Sequence, residues 1–334
     1  MNTVPAPAGT VFRRSLNRIR PLTRTRPGRR LGPTRLVDTA APEDLRRAIA
    51  RPSDATLMRV SGWSMIIFVA LLAGFLLHLM VISGLADHRS QRLLYNQFRS
   101  ELSLGTAPVG QVDDHGALLS LGDPVALISI PAIGVSAIVV EGTTSRALMS
   151  GPGHRRDTPL PGQSGISVIY GRQAGYGGVF GHISELRVGD TITTTTGLGQ
   201  AAYQVIDIRR AGDLSPVMTS GSGRLTLVSA TGLPFASGSI IRVDARLEGK
   251  PTPTPQPVLL PGSLSHAEDP LASDSSGWLP LLLWGELAVV AAVGIILALR
   301  RWGRWHTWVV GVPLVLLIGV QMAQATVVVL PNLY

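Results

Sequence analysis

The chain has 334 residues, 45% of them hydrophobic, a high fraction for a soluble domain and one typical of proteins with membrane spans. It contains no cysteine, which excludes disulfides, thiolate metal sites and a thiol nucleophile. The formal net charge of +9 lies in the first 60 residues, and the rest of the chain balances 17 basic with 17 acidic residues. The charge therefore belongs to one tail and does not indicate a nucleic-acid-binding domain.

Residues 1–60 form a tail rich in arginine, proline, threonine and glycine, with little apolar periodicity. Such a segment buries too little apolar surface to offset its ordering entropy, so we predict that it is disordered. An arginine-rich flank beside an apolar segment keeps that end of the chain in the cytoplasm. We prefer this topological role to binding of nucleic acid or anionic lipid.

An apolar run follows the tail and covers residues 63–85, interrupted only by His78 and two serines. At about 1.5 Å per residue it is long enough to cross the roughly 30 Å hydrocarbon layer. Its length and its distance from the start of the chain are typical of a signal anchor, not of a cleaved signal peptide. Residues 87–104 then place apolar side chains at helical spacing, which predicts a helical stalk.

From residue 120 to residue 248 the pattern changes to that of β-strands. Short apolar or alternating stretches are separated by turns that contain glycine and proline, and helical patterns are scarce. The predicted strands are 125–130, 136–141, 165–170, 190–196, 201–208, 224–229 and 239–247. Many short strands with few helices indicate a mainly β fold, either a closed barrel or a sandwich.

Residues 250–277 have the composition of an extended linker, with Pro-Thr-Pro-Thr-Pro-Gln-Pro followed by serine, aspartate and glycine. Two apolar runs, 278–299 and 307–330, are each long enough to cross a membrane. The basic and aromatic loop 300–306 between them is expected on the cytoplasmic side. The predicted topology therefore has a cytoplasmic N-terminus, an extracellular barrel and an extracellular C-terminus.

Motifs in the barrel segment keep the order and spacing of a known family. They are Ile128–Pro131, Val139–Gly142, Leu148–His154, Thr158–Gly162, Phe180, Leu186, Gly189–Asp190, Tyr203–Val205, Leu225–Leu227 and Val243–Leu247. On these motifs residues 125–247 resemble sortases, the surface transpeptidases of Gram-positive bacteria, and are most similar to the actinobacterial branch called class E. The resemblance implies a mainly β, eight-stranded sortase-like barrel, to which this chain adds one N-terminal and two C-terminal transmembrane helices.

The resemblance also identifies the positions where an active sortase keeps its reactive groups. Such an enzyme attacks a Thr–Gly peptide bond with a cysteine thiolate, a histidine protonates the leaving amine, and an arginine stabilises the oxyanion. In this chain Ala230 matches the cysteine, Arg172 matches the histidine, and Ile240 matches the arginine. Because alanine carries no nucleophile, the resemblance implies a sortase fold without sortase chemistry.

Four other residues are candidate substitutes for the missing groups. Ser229 precedes the alanine, but successive side chains of a strand point to opposite faces, so its hydroxyl is expected to face away from the groove. Arg242 lies two residues beyond the isoleucine, on the same strand face. His154 belongs to a Gly-Pro-Gly-His stretch that active relatives carry beside a separate catalytic histidine. His182 is expected to be a surface histidine.

Polar side chains also interrupt the predicted spans, at His78, Glu286, Gln321 and Gln324. At 1.5 Å per residue all of them lie roughly 9–14 Å below the outer surface. A carboxylate at that depth is costly, so Glu286 must be protonated or hydrogen-bonded. We expect hydrogen bonds between the spans, and the alternative is a docking site for a partner's transmembrane helix.

The sequence as a whole predicts a multi-pass membrane protein whose barrel binds a surface polypeptide or another sortase, as a scaffold or regulator. No cofactor, metal ion or nucleic acid is expected. The alternative is a cysteine-independent transpeptidase or hydrolase that uses Ser229 with His154 or His182 on a sorting-signal peptide. That alternative requires the serine hydroxyl to lie within roughly 3 Å of a histidine nitrogen.

Overall fold

The computed structural model describes residues 62, 65, 68, 69, 71–78, 82–233 and 238–334. The predicted tail, residues 1–60, lies outside the described residues. The first predicted span, residues 63–85, is described only in part, and it is helical at each described position.

Within the described residues, eight strands close into a barrel. They are β1 (Pro124–Ile130), β2 (Val135–Glu141), β3 (Gly153–His154), β4 (Gly165–Tyr170), β5 (Thr191–Thr196), β6 (Gly199–Arg209), β7 (Gly223–Thr231) and β8 (Ser239–Leu247). The order around the barrel is β1-β2-β3-β4-β7-β8-β6-β5, and β5 pairs with β1 to close it. The predicted mainly β, eight-stranded barrel is confirmed. The sequence did not predict β3, because two residues are too short to show alternation.

The alternation of β7 separates two packed faces. Leu225 and Leu227 belong to the interior core, whereas Val228 and Ala230 belong to a second cluster on the opposite face. The interior core is fully buried and apolar, and each side chain of this size stabilises the fold by about 1.5–3 kcal/mol. Its largest members include Tyr203, Phe180, Ile128, Ile130, Ile183 and Ile192. The barrel is therefore a packed core and not a channel.

Three long helices complete the described part of the chain: α1 (Ser83–Leu104), α2 (Trp278–Arg301) and α3 (Arg304–Val329). Helices α2 and α3 pack against each other across a turn at Gly303, whose φ of 81° suits a residue without a side chain. Residues Ser275–Arg301 and Trp305–Val329 are long and apolar enough to cross a membrane, by length and composition.

Helix α1 contains the predicted stalk and lies along the barrel. Gln91 connects the two, since its Nε2 donates to the carbonyls of Ile138 (3.2 Å) and Ser150 (2.6 Å). Its Oε1 accepts from the Ile138 amide at 2.7 Å. Phe98 is buried in a small cluster with Ile138 and Ala107. None of the described strands pairs with this edge of β2 at Ile138, and the Gln91 side chain therefore hydrogen-bonds its free backbone groups.

The segment predicted as a linker, residues 250–277, follows the barrel wall. The Thr252 amide donates to the Gly162 carbonyl at 2.9 Å, and the Thr252 carbonyl accepts from the Ser164 amide at 2.9 Å. Further along, the Gly262 amide donates to Asp157 Oδ2 at 2.9 Å. These contacts bind the segment to the barrel, because its extended backbone exposes donors and acceptors that no helix or strand of its own uses.

We predict that Gln91→Ala destabilises the contact between α1 and the barrel by about 1–3 kcal/mol, because it leaves the Ile138 amide and carbonyl without partners. The measurement is limited proteolysis together with thermal unfolding of the detergent-solubilised chain. Gln97→Ala is the matched control, since Gln97 is exposed on the same helix and its side chain donates to Glu101 of that helix. Equal protease sensitivity of the two variants would contradict the prediction.

Candidate functional site

The candidate site lies on the outer face of β4, β7 and β8. The side chains there form what we call the outer cluster, defined by the buried residues Leu148, Tyr170, Val228, Ala230 and Leu333. Partly buried residues pack against it, namely Val168, Ile240, Leu271 and Tyr334. The cluster is separate from the interior core, as expected for alternate residues of the same strands.

Strand register brings the three matched positions together. Ala230 and Ile240 are partners across β7 and β8, and Tyr170 at the end of β4 is the partner of Val228. The Gly171 amide donates to the Val228 carbonyl at 2.9 Å, so the chain leaves β4 level with this end of β7. Arg172 follows directly. Adjacent strand ends therefore carry the positions that the family resemblance singled out.

Gly171 is held by packing against Phe180. A Cβ added at this glycine would lie 2.3 Å from the Phe180 ring, which is too close for any side chain to fit. The Phe180 amide in turn donates to the Arg172 carbonyl at 3.0 Å. The backbone that presents Arg172 is therefore fixed by the interior core.

The Arg172 guanidinium is buried, with 3% of the residue exposed. Its Nε donates to the Leu148 carbonyl at 3.2 Å, and its Nη1 donates to the backbone oxygen of Tyr334 at 2.6 Å. Its Nη2 donates to the carbonyl and the hydroxyl of Ser145, at 2.8 and 3.0 Å. The Tyr176 ring lies 5.5 Å from the guanidinium carbon. Burial lowers the pKa of Arg172 to about 10, so it remains a cation at neutral pH, solvated by carbonyls.

Sequence reasoning missed the residues that cover this site. The segment Pro331–Tyr334, which we call the plug segment, follows α3 and enters the outer cluster with Leu333 fully buried. The Gln173 amide donates to the Leu333 carbonyl at 2.8 Å. No pattern in these four residues signals the contact, because it joins positions that are about 160 residues apart in the sequence.

Ser229 points into the barrel, as strand alternation predicts. It is fully buried, its hydroxyl donates to the Gly171 carbonyl at 2.9 Å, and its cross-strand partner Ile241 belongs to the interior core. The structure therefore separates this hydroxyl from the outer cluster.

The two candidate histidines have other partners. His154 is buried, with Nδ1 2.9 Å from Glu141 Oε2 and Nε2 3.0 Å from the Pro159 carbonyl. Burial alone would lower the pKa of His154, but the Glu141 carboxylate outweighs it and raises the pKa above its ordinary value. Two acceptors on one ring suit an imidazolium. His182 is exposed and pairs with Glu185 at 2.8 Å.

Arg242 is the partner of Val228 across β7 and β8, and it is half-buried. Its charge acts on Tyr170, whose hydroxyl also accepts from Arg155 at 3.2 Å. Burial nevertheless raises the pKa of Tyr170 above its ordinary value. Arg242 therefore lies on the outer face as expected, beside a tyrosine.

The polar residues of the predicted spans have different surroundings. His78 is buried, with Nε2 3.3 Å from the Tyr176 hydroxyl, so it contacts the loop after β4. Glu286 and Gln324 are exposed, and Gln321 is half-buried. The structure shows no side-chain hydrogen bond from these last three residues to another described residue. The expected hydrogen bonds between α2 and α3 are therefore absent among the described residues.

Comparison with known proteins identifies the barrel. Residues 128–241 match the family model of the sortase domain, a range that contains Arg172, Ala230 and Ile240. We call this matched range the sortase domain. The chain is 27% identical over 116 residues to Sortase D of Bacillus subtilis (strain 168), a match that covers 34% of this chain and 57% of that protein. The chain thus spans a little over half the length of this curated relative.

Solved structures of sortases are similar to the sortase domain as well. The Sortase D5 transpeptidase of Clostridium perfringens is 25% identical, with a TM-score of 0.40, and the match covers 48% of this chain and 99% of that chain. Sortase C-1 from Actinomyces oris is 30% identical, with a TM-score of 0.34, and the match covers 38% of this chain and 75% of that chain.

We predict that Glu141→Gln destabilises the sortase domain by about 3–5 kcal/mol, because it removes one partner of a buried ion pair. The raised pKa of His154 means that this pair stabilises the fold fully below the ordinary value of 6.5 and loses its effect as the pH rises through the folded-state pKa. The variant should therefore lose that pH dependence. Thermal unfolding over a pH series measures both effects.

Glu185→Gln is the matched control, because Glu185 pairs with a histidine at the exposed surface. Its effect should stay within about 0.5 kcal/mol. A Glu141→Gln protein with the unfolding midpoint and the pH dependence of the unchanged chain would show that the buried pair does not stabilise the barrel.

Proposed function

We propose that this chain is a membrane-anchored, non-catalytic sortase-domain protein at the outer face of the cell membrane. In this role the domain binds a surface polypeptide, or another sortase, and acts as a scaffold or regulator of cell-surface proteins. The observation that carries the proposal is the set of side chains at the three matched positions: a methyl group, a buried guanidinium and an aliphatic chain.

The chemistry of these side chains supports a non-catalytic role. Acyl transfer through a covalent enzyme needs a nucleophile, and Ala230 has none. A proton donor to the leaving amine needs a pKa near the working pH, but Arg172 has a pKa of about 10 and all its described hydrogen bonds go to oxygen acceptors. Ile240 offers no donor to an oxyanion.

The positions of the candidate substitutes favour the same proposal. The Ser229 hydroxyl donates to a backbone carbonyl, while His154 and His182 each pair with a glutamate. A serine nucleophile needs a base at hydrogen-bond distance, about 2.6–3.2 Å, and the described hydrogen bonds give Ser229 no such base. Arg242, beside Tyr170, is the one substitute that keeps a place on the outer face.

The helices support anchoring in a membrane and suggest a second contact with the partner. Helices α2 and α3 are both candidate spans, and Glu286 and Gln324 are exposed on them. Polar side chains at membrane depth are stabilised by hydrogen bonds from another helix. Their exposure favours the docking of a partner's transmembrane helix, which we include in the proposal.

We predict that the full chain forms neither an acyl-enzyme nor a transpeptidation product with a sorting-signal peptide and an amine nucleophile. Mass spectrometry of the protein and of the peptide mixture measures both. Ser229→Ala is the diagnostic variant. A product that the unchanged chain forms and this variant does not would establish the alternative, a cysteine-independent enzyme.

Binding is tested separately, with a photo-cross-linking residue at Ile240 in the native membrane. We expect an adduct with a surface polypeptide or a sortase. The same residue at Leu198 is the control, because Leu198 is exposed in the turn between β5 and β6, at the end of the barrel opposite to Ile240. Equal adduct patterns from the two positions would contradict binding at the outer cluster.

A further inference from the structure

The plug segment starts where α3 ends. Leu330 caps the helix in an extended conformation, with φ −71° and ψ 154°, and Pro331 follows it. Proline disfavours helical geometry in the residue before it, so the chain leaves the helix at this point. The next three residues enter the sortase domain directly.

The apolar contact of the plug segment is made by Leu333. This side chain is 0% exposed and lies in the outer cluster with Ala230, itself 2% exposed. Burial of a leucine of this kind stabilises a contact by about 1.5–3 kcal/mol. The position that matches the sortase nucleophile is thus buried in one apolar cluster with an aliphatic side chain of the plug segment.

The backbone of the plug segment is bound by the loop that follows β4. The Gln173 amide donates to the Leu333 carbonyl at 2.8 Å, and Arg172 Nη1 donates to the backbone oxygen of Tyr334 at 2.6 Å. Two consecutive residues of the loop therefore bind two consecutive backbone oxygens of the segment. Such main-chain recognition suits any extended peptide, and side-chain pockets then select among them.

Asn332 supplies the selective contact. It is fully buried, and its Nδ2 donates to the carbonyls of Thr143 (2.7 Å) and Asp269 (2.9 Å). Its own amide donates to the Ala272 carbonyl at 2.9 Å. A side-chain amide has the two donors that this pocket satisfies, whereas a carboxylate or an aliphatic side chain has none.

We propose that the outer cluster, the loop after β4 and the carbonyls of Thr143 and Asp269 together form a site for an extended peptide of the pattern Asn-Leu-aromatic. In the resting protein the plug segment is its ligand, and a partner peptide binds only after the segment leaves. This inference rests on the proposed function and names the chemistry of the partner together with the event that exposes the site. The plug segment and the partner peptide share an amide side chain, an aliphatic residue and two successive backbone oxygens.

The lack of cysteine in the chain provides the test. Ala230→Cys introduces a single thiol under the plug segment, and its rate of reaction with a maleimide reports exposure of the site. We expect slow labelling in the otherwise unchanged chain, and labelling at least ~10-fold faster when residues 331–334 are deleted, since a buried group reacts only in its open state. The double substitution Asn332→Ala with Leu333→Asp should have the same effect.

Two further cysteines control for exposure and folding. Val217→Cys lies at a position that is 97% exposed, and it should react equally fast with and without the plug segment. Ala245→Cys lies in the interior core and should remain protected in both, provided that the barrel is folded. If Ala230→Cys is labelled fast while Ala245→Cys stays protected, the plug segment has been released and the barrel is still folded.

A peptide added to the deleted chain tests the ligand chemistry. Synthetic Pro-Asn-Leu-Tyr should restore slow labelling at Ala230→Cys, and the same peptide with aspartate in place of leucine should not. Fast labelling of the intact chain, or no protection by the first peptide, would overturn this inference and leave a non-catalytic function standing. A transpeptidation product would overturn the proposed function without altering these labelling rates.

Discussion

A buried cation organises the site of this protein. Arg172 lies out of water, and the desolvation of its guanidinium is offset only where acceptors surround it. Those acceptors come from segments that are remote in sequence: the turn that contains Ser145 and Leu148, and the plug segment at Tyr334. Each of these segments supplies a backbone oxygen that accepts a hydrogen bond from the charged group.

The same cation connects the barrel to the helices. Ser145 accepts from Arg172, and its hydroxyl lies 2.9 Å from the Val327 carbonyl in the last turns of α3. Tyr176 faces the guanidinium, contacts Val327 and lies 3.3 Å from His78. Arg172, one of the positions that the family resemblance singled out, therefore lies at the joint between the barrel and α3. A change at Arg172 would therefore also act on Ser145 and on its contact with α3.

Tyr176 lies at this joint and has an unusual backbone conformation. Its φ of 43° is in the left-handed region, which non-glycine residues with bulky side chains rarely adopt. The Tyr176 amide donates to the Ser83 hydroxyl at 3.2 Å, and the side chain contacts Arg172, Val327 and His78. Such a conformation persists only when its surroundings determine it.

The alternation of side chains and the spacing of motifs predicted those features of the structure that depend on residues close together in the sequence. The alternation of Leu225 and Leu227 predicted β7, and the same rule predicted the direction of Ser229. The motif positions Arg172, Ala230 and Ile240 were identified because the family spacing is kept. These features depend on neighbours in the sequence, and strand register then brings them together.

The remaining features depend on contacts between distant segments, which leave no local signal. The partners of Arg172, the plug segment and the Gln91 contact each join a polar atom to a backbone group far away in the chain. The composition of residues 250–277 predicted an extended conformation but not the barrel wall that binds it. Glu286 and Gln324 were predicted to bond within the chain, and their exposure could be seen only once α2 and α3 were packed.

Gly171 and Arg172 are neighbours in the sequence, but different constraints act on them. The place of Gly171 against the Phe180 ring belongs to the packing of the barrel and has no part in any reaction. The next residue, Arg172 in this chain, directs its side chain away from the core. Core packing therefore does not decide whether this residue is a proton donor or a structural cation. Substitutions on the outer face can therefore change its chemistry while the contact between Gly171 and Phe180 stays in place.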